Sequence, residues 1–297
     1  MAKIVVKTLS GLEDILAGEL REIGARNIQI LKRAVSCDGD MDLIYRINYQ
    51  CHTALKVLQS MFDFPAGSED ELYENVKKID WEELLDVNTT FAIDGVVSNS
   101  NLTHSYYVAL KTKDAIADYF QEKYGKRPSV DVKDPDVQLN VHINRNLCNI
   151  SLDSSGDSLH KRGYRQSGGQ APINEVLAAG LILLSGWKAK TSFLDPFCGS
   201  GTMLIEAAKQ AMNIPAGYYR KSFAFMKWKD FDEDLWKKIK EEADGKITET
   251  EISIMGSDIS ERALVNARKN IRTAQLHKDI VVIHASFEKL MPPFEKG

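Results

Sequence analysis

Cysteine is scarce in this sequence, and the few that occur lie far apart. Cys37, Cys51, Cys148 and Cys198 are the only four, with no C-x-x-C pair and no histidine cluster beside them. Zinc-binding modules and disulfide-stabilised secreted domains need cysteines at closer, regular spacing, so neither class fits. We therefore expect reduced thiols and no bound metal.

Long apolar runs are also missing. No stretch of about 18 apolar residues occurs, and the N-terminal MAKIVVKTLSGLEDIL lacks the basic and then apolar order of a secretion signal. We therefore expect a cytoplasmic protein without a membrane partner. A chain of 297 residues with 43% apolar content is long enough for two globular domains.

An excess of positive charge is absent as well, since the formal net charge is −4. This balance argues against a protein that coats nucleic acid through bulk electrostatics, although it permits local basic surfaces. The charges are in fact uneven, because residues 69–94 are strongly acidic whereas residues 111–127 carry five cations.

The pattern of the first half predicts a small α+β unit. Residues 28–37 are interpreted as one strand, and residues 104–111, HSYYVALK, as a strand that precedes a helix over 112–125. Residues 154–172 are rich in glycine and serine and poor in aliphatic residues, which predicts a linker.

After this linker, apolar strands alternate with helical patterns. The segments TSFLD, ISIMGSD and IVVIHAS read as strands, and each of the first two is followed by a helical pattern. Alternation of this kind predicts βαβ units and a parallel sheet, whose ligands bind beyond the carboxyl ends of the strands.

The first of these strands ends in DPFCGSGT, a bend between a strand and a helix. Gly199 and Gly201 remove side chains so that backbone amides can touch a ligand, and Asp195 can accept hydrogen bonds or balance a positive charge. The simpler alternative is a tight turn that binds nothing. Cys198 inside the bend invites interpretation as a nucleophile, but no base lies near it in the sequence.

A second carboxylate, Asp258, ends the next strand. It can cap a helix, but Ser260 can take that role and leave Asp258 for the two hydroxyls of a ribose. A dinucleotide fold would place this acid about 20 residues after the glycines. Here 57 residues separate it from Gly201, and Leu204 replaces the third small residue, so NAD does not fit.

DPFCGSGTMLIEAA resembles motif I of the class I S-adenosylmethionine methyltransferases, in the form typical of RNA methylases with a THUMP domain. The segments LHKRGYRQSGGQAPINEVLAAGLILLSGW and KRPSVDVKDPDVQLNVHI are similar to other parts of that family. The resemblance covers nearly the whole chain. It implies an α+β N-terminal half, ferredoxin-like and then THUMP, followed by an α/β Rossmann-like methyltransferase domain. The expected boundaries are 1–44, 45–155, a linker at 156–172, and 173–297.

The resemblance also implies that S-adenosylmethionine is the cofactor. At matching positions, its methionine and ribose end would be lined by Asp195, Phe197, Gly199, Ser200, Gly201 and Thr202. Asp258 would bind the ribose hydroxyls, Ile259 would lie against the adenine, and Ala171 and Pro172 would close the amino-acid side. One departure concerns the adenine amine, for which the family usually supplies an acid. Ser286 stands there, and a neutral acceptor is weaker than a charged one.

The implied reaction is methylation of the 2-amino group of a guanosine in large-subunit ribosomal RNA. The family's acceptor motif, N-P-P-Y, does not occur in the sequence; MPPFEKG at 291–297 resembles it but begins with a methionine, which cannot hold an amine hydrogen. We therefore assign no catalytic residue and expect an incomplete domain that is inactive alone. The alternatives are an inactive RNA-binding protein with a vestigial cofactor fold and, less in keeping with the THUMP-like half, a DNA amino-methyltransferase.

RNA binding by a THUMP module requires cations spaced to meet phosphates. The candidates fall in three groups, at the start of a helix, at its end and in the linker: Lys111 and Lys113; Lys126 and Arg127; Lys161, Arg162 and Arg165. Gly163 and Tyr164 would add a hinge and a stacking ring to the linker group. The simpler alternative for each lysine is a solvated helix face.

Overall fold

The computed structural model describes residues 1–166 and 172–290, which form two sheets flanked by helices. The first half contains, in chain order, β1 (Ala2–Lys7), α1 (Glu13–Glu22), β2 (Arg26–Leu31), β3 (Ala34–Gly39), α2 (Met41–Gln50), β4 (Lys56–Pro65), α3 (Glu69–Lys77), β5 (Phe91–Ser98), α4 (Ser105–Tyr124), β6 (Val137–Asn144) and β7 (Leu147–Asp153). The second half contains α5 (Glu175–Leu184), β8 (Phe193–Asp195), α6 (Thr202–Ala211), α7 (Glu233–Asp244), β9 (Ile254–Asp258), α8 (Glu261–Thr273) and β10 (Ile280–His284).

All strands of the first half belong to one seven-stranded sheet in the order β2-β3-β1-β4-β7-β6-β5. Only β5 and β6 run parallel; the other neighbours are antiparallel. The central strand β4 pairs with β1 on one side and with β7 on the other. The boundary expected between residues 44 and 45 falls inside α2.

Two sequence predictions for this half are wrong. Residues 28–37 are not one strand but a hairpin of β2 and β3, because the chain turns at Arg33, whose φ of 57° lies in the left-handed region. Residues 104–111 are not a strand; from Ser105 they are the first two turns of α4. Val108, Thr112 and Ala115 are buried at helical spacing, which outweighs the strand preference of the neighbouring tyrosines.

The second half has a three-stranded parallel sheet in the order β10-β9-β8, as the alternating pattern predicts. Its core is mostly aliphatic and contains Leu204 and Ile205 of α6 together with Leu264 and Ile271 of α8. A glycine on β9 allows close contact, since a Cβ at Gly256 would lie 2.5 Å from Leu204 and 2.8 Å from Cys198. No helix among the described residues has the length and apolarity to cross a membrane.

The halves are joined by an aromatic core that draws on both. Tyr45 of α2 contacts Phe225 at a centroid distance of 4.4 Å and Trp236 of α7 at 6.0 Å. The backbone N–H of Gly217 donates to the carbonyl of Tyr49 at 2.7 Å, and the segment between α6 and α7 therefore packs on the first half. Phe225 is fully buried there.

Candidate functional site

The bend after β8, residues 195–202, faces the end of β9. Because β8 and β9 are adjacent and parallel, Asp195 and Asp258 lie at the same edge of the sheet. The backbone N–H of Gly199 donates to Asp258 Oδ2 at 3.0 Å, and that of Ser260 donates to Oδ1 at 2.8 Å. A carboxylate has about four acceptor positions, so Asp258 keeps two for a further partner. Ser260 caps α8 through Ala263, as the sequence predicts.

The two glycines of the bend have different surroundings. Both have positive φ, 52° at Gly199 and 82° at Gly201. A Cβ at Gly201 would meet the Cβ of Ala267 at 3.3 Å, so this glycine lets α8 approach the bend. A Cβ at Gly199 would point into open space, with no atom closer than a carbonyl oxygen at 4.0 Å. The structure thus leaves room for a ligand at Gly199.

Two carboxylates, those of Asp195 and Asp258, influence the ionisable groups of the bend. Burial, together with the charge of Asp258, raises the pKa of Asp195 even though the backbone N–H of Phe197 donates to its carboxylate. Burial, together with both aspartates, raises the pKa of the Cys198 thiol to about 12. The Cys198 thiol is therefore protonated at neutral pH, which does not suit a nucleophile. A cation would be stabilised here.

Exposed apolar side chains surround this edge of the sheet. Phe197 is 71% exposed, Ile259 is 74% exposed and Phe287 is 58% exposed, and the rings of Phe197 and Phe287 lie 5.3 Å apart. Large exposed apolar side chains grouped at one place mark a binding surface more often than chance does. Phe287 is a residue that the sequence analysis missed, because a single phenylalanine after a strand carries no distinguishing signal.

The region of Ser286 also contains an acid. The hydroxyl of Ser286 donates to the carboxylate of Glu288 at 3.2 Å, and both follow β10, whose His284 pairs in register with Asp258. A carboxylate therefore lies two residues after position 286 in the chain. His284 Nε2 itself donates to the carbonyl of Ile259 at 2.8 Å.

Behind the bend, Arg165 holds the start of α6 and the start of α5 together. Its guanidinium donates to Thr202 Oγ1 at 3.0 Å, to the carbonyl of Ile173 at 2.8 Å and to the carboxylate of Glu175 at 2.8 Å. Thr202 is buried, so its hydroxyl faces Arg165. Its Nε and both Nη2 hydrogens are bonded within the protein, so the structure does not support the expected contact of Arg165 with RNA.

The remaining expected cofactor residues are placed as follows. The carbonyl of Ser200 accepts from the amide of Asn270 at 3.1 Å, which ties the bend to α8. Pro172 is exposed beside the start of α5. Ala171 and the residues 291–297 lie outside the described part of the chain.

A buried charge cluster lies where the linker meets α6, formed by His52, Arg162, Glu206 and Lys209. Burial alone would raise the pKa of Glu206, but Lys209 and Arg162 lower it to about 2. Burial lowers the pKa of Lys209 to about 8 despite Glu206. Arg162 Nε lies 3.8 Å from Glu206 Oε1, and His52 Nδ1 lies 3.7 Å from Oε2. The cluster connects the two halves through buried, mutually compensating charges.

Two linker predictions are wrong for this reason. Arg162 is 2% exposed and donates to the backbone carbonyls of Leu159 and His52, so it cannot meet a phosphate. Tyr164 is 1% exposed and donates to Glu206 at 2.9 Å, so its ring cannot stack on a base. Both side chains are buried between the two halves and do not face solvent.

The other basic candidates are at the surface, with partners. Lys126 donates to Asn88 at 2.9 Å, Arg127 pairs with Asp118 at 2.9 Å, and Lys161 pairs with Asp157 at 2.8 Å. Lys113 pairs with Asp114, and Lys111 lies over the ring of Tyr73 at 5.1 Å. Lys111 and Lys113 lie within α4 rather than at its start, and two residues apart they point to different faces of the helix.

Three family models match the chain in succession. Residues 3–58 match the RlmL ferredoxin-like domain, residues 66–153 the THUMP domain, and residues 162–296 the RMKL-like methyltransferase domain.

The chain is also similar over nearly its whole length to a curated relative and to solved structures. A protein of Synechocystis named "Putative RNA methyltransferase" is 39% identical over 288 residues, which cover 97% of this chain and 75% of the relative. A solved structure of a "putative methyltransferase complexed with SAH" is 30% identical, with a TM-score of 0.88 over 99% of this chain and 78% of that one. A "predicted N6-adenine-specific DNA methylase" of Listeria monocytogenes has the same TM-score and identity over 98% and 77%.

Proposed function

Because the chain belongs to the family of THUMP-containing, S-adenosylmethionine-dependent RNA methyltransferases, we propose that the bend between β8 and α6 binds the cofactor. The observation that carries this proposal is the contact of Gly199 N–H with Asp258, which brings the glycine bend and the second carboxylate to one edge of the sheet. The alternative of a tight turn without a ligand gives no reason for open space at Gly199 or for the exposed apolar side chains around it.

The residues of the bend suit the chemical groups of S-adenosylmethionine. Asp258 has acceptor positions left for the two ribose hydroxyls. The negative potential of Asp195 and Asp258 favours a ligand that carries a positive charge near the bend. The open backbone at Gly199 allows close approach, while Gly201 and Ser200 fix the bend on α8. When bound, the cofactor supplies a methyl group on an electron-poor sulfur.

We assign the adenine end to the exposed apolar side chains. Ile259 and Phe197 offer exposed apolar contact at the strand ends, and Phe287 extends the surface of Phe197. Ser286 would accept one hydrogen bond from the adenine amine, and Glu288, held by Ser286, adds the negative charge that position 286 lacks. Pro172 and Ala171 stay assigned to the amino-acid side of the cofactor.

For the acceptor, we propose the 2-amino group of a guanosine in large-subunit ribosomal RNA, which rests on the motifs that the chain shares with such enzymes. Among the predicted RNA contacts we retain Lys111, Lys113, Lys126, Arg127 and Lys161, all of which lie at the surface. The relative named for adenine in DNA keeps adenine methylation as the competing assignment.

Titration with S-adenosylhomocysteine tests the cofactor site. We expect Asp258→Ala to weaken binding by at least about 100-fold, because two hydrogen bonds to a charged group contribute about 1.5–3 kcal/mol each. Asp234→Ala, at an exposed position on α7, is the matched control and should bind like the parent. Absence of binding by the parent chain would instead support the vestigial RNA-binding protein.

A methyl-transfer assay tests the acceptor. The chain is incubated with methyl-labelled S-adenosylmethionine and large-subunit ribosomal RNA, and the RNA is digested for mass spectrometry. A chain that also carries an N-P-P-Y segment is expected to form N2-methylguanosine. N6-methyladenosine would overturn the assignment. Product from the 297-residue chain alone would contradict the prediction that it is inactive.

A further inference from the structure

A cleft of about 860 Å³ lies between the THUMP-containing half and the methyltransferase half, and its lining does not include the bend residues 195–202. One wall is formed by the first residues of β5 and by residues 132–135. The other wall is formed by linker residues between 155 and 165, by residues 172–175 and by residues 219–227. Lys227 fixes the spacing of the walls, since its ammonium donates to Asp134 Oδ1 at 2.6 Å and to two backbone carbonyls across the cleft.

The charge of this cleft is opposite to that of the protein. Its lining contains eight lysine and arginine side chains but only four carboxylates, whereas the whole chain has a net charge of −4. Lys133 on one wall and Lys221 on the other are exposed, and neither makes a side-chain hydrogen bond or an ion pair with any described residue. Two cations are therefore ready for an anion that spans both halves.

One end of the cleft adjoins the cofactor bend. Arg165 and Pro172 are part of the lining, and Arg165 also donates to Thr202 at the start of α6. Thus a ligand that fills the cleft extends from the THUMP wall to within one side chain of the proposed methyl donor. A small anion would need donors that converge on one point, whereas these cations lie on opposite walls.

We propose that this cleft holds an unpaired segment of the RNA substrate, with phosphates on Lys133 and Lys221, and directs it toward the bend. The inference rests on the proposed function and adds the path of the substrate to it. Phosphate contacts position a nucleic acid, and amino-group methylation requires a base that is free of its pairing partner. A cavity of this volume accommodates a single strand but not a helical duplex, which also favours unpaired RNA.

The test compares two double charge reversals in the full 297-residue chain. Lys133→Glu with Lys221→Glu changes the cleft. Lys188→Glu with Lys190→Glu makes the same charge change at exposed lysines before β8, at the opposite edge of the sheet from the bend, with no ion pair among described residues. The probe is an end-labelled RNA of about 16 unpaired nucleotides, followed by fluorescence anisotropy across salt concentrations.

We expect the cleft variant to lose at least about tenfold in RNA affinity, and the slope of log K against log salt to fall by about 1.4, which corresponds to two single-strand phosphate contacts. The control should keep the parent's affinity and slope. Both variants should bind S-adenosylhomocysteine like the parent, because neither changes the bend. A duplex of the same RNA should compete poorly.

Several outcomes overturn the inference. Equal loss in both double variants would mean general electrostatics. Loss confined to a third double variant, Lys126→Glu with Arg127→Glu, would place the RNA on the end of α4. If the cleft variant keeps its RNA affinity while the parent binds RNA and S-adenosylhomocysteine normally, the inference about the cleft is refuted and the proposed function is not. If the parent binds neither, the proposed function fails and the inference fails with it.

Discussion

The bend leads into α6 and the buried charge cluster includes the middle of the same helix, and both contain acidic groups, yet they have opposite roles. At the bend, Asp258 accepts two backbone hydrogen bonds and retains capacity for a ligand. In the cluster, Glu206 is fully buried among Lys209, Arg162 and His52. A carboxylate such as that of Asp258 is available to a ligand because its partners leave acceptor positions open. A carboxylate such as that of Glu206 instead stabilises the fold, because buried cations surround it.

The largest effect is expected from a substitution that breaks the buried charge cluster and leaves the bend unchanged. Glu206→Gln leaves Arg162 and Lys209 buried without their counter-charge, so the free energy of unfolding should fall by about 3–5 kcal/mol. Urea denaturation followed by circular dichroism measures this change. Glu233→Gln, which breaks an exposed pair with Lys237, should cost less than about 1 kcal/mol. Equal small losses would show that the cluster contributes little.

The stability difference between the parent and Glu206→Gln should also depend on pH. The pKa of Glu206 is about 2 in the folded protein against an ordinary value of 4.5. Because the folded pKa is lowered, the contribution of Glu206 is present above about pH 4.5 and is lost as the pH falls toward 2. The stability difference between parent and Glu206→Gln should therefore narrow over this window. A constant difference from about pH 6 to about pH 2.5 would contradict the assignment.

Glycine substitutions separate folding from binding within the bend. Gly201→Ala should lower stability by about 2 kcal/mol, since positive φ costs about 1 kcal/mol and Ala267 must also shift. Gly199→Ala should cost only the backbone strain but weaken S-adenosylhomocysteine binding about tenfold, because its methyl group enters the open space. Calorimetry and thermal melts of both variants give the comparison. Reversal of the two effects would remove Gly199 from the cofactor site.

Substitutions of Arg165 test whether its contacts with the starts of α5 and α6 support the bend. Arg165→Ala should weaken S-adenosylhomocysteine binding about tenfold, because Thr202 and the start of α5 lose their shared donor. Arg165→Lys should recover part of the affinity, since an ammonium can satisfy some of these acceptors. RNA affinity should stay unchanged in both. Lost RNA affinity with intact cofactor binding would restore the sequence-based assignment of Arg165 to RNA.

The smallest expected effect concerns Cys198. A thiol with a pKa of about 12 should resist iodoacetamide at about pH 8, unless urea unfolds the chain. Cys198→Ser should leave S-adenosylhomocysteine binding within about twofold of the parent. Mass spectrometry of the alkylated peptide measures the first result. Rapid labelling of the folded protein would mean that the bend is more open and less negative than described.

The sequence predicts the bend well because its geometry follows from chain order. Two consecutive strands of a parallel sheet end at one edge, so chain order alone places Asp195 and Asp258 together. The sequence misassigns Arg162 and Arg165 because their partners, Glu206 and Thr202, lie about 40 residues away and have no local signal. It misses the start of α4 because Tyr106, Tyr107 and Val108 favour strands locally, and only tertiary burial selects the helix.

The position of β4 has a consequence for how this architecture is inherited. The ferredoxin-like model ends at residue 58 and the THUMP model begins at residue 66, while β4 occupies Lys56–Pro65 and bonds to β1 and β7 at once. Removal of either module strips one flank of that strand and exposes its unpaired backbone to other chains. Recombination that separates the two modules would therefore favour aggregation, and we expect the two modules to be inherited together.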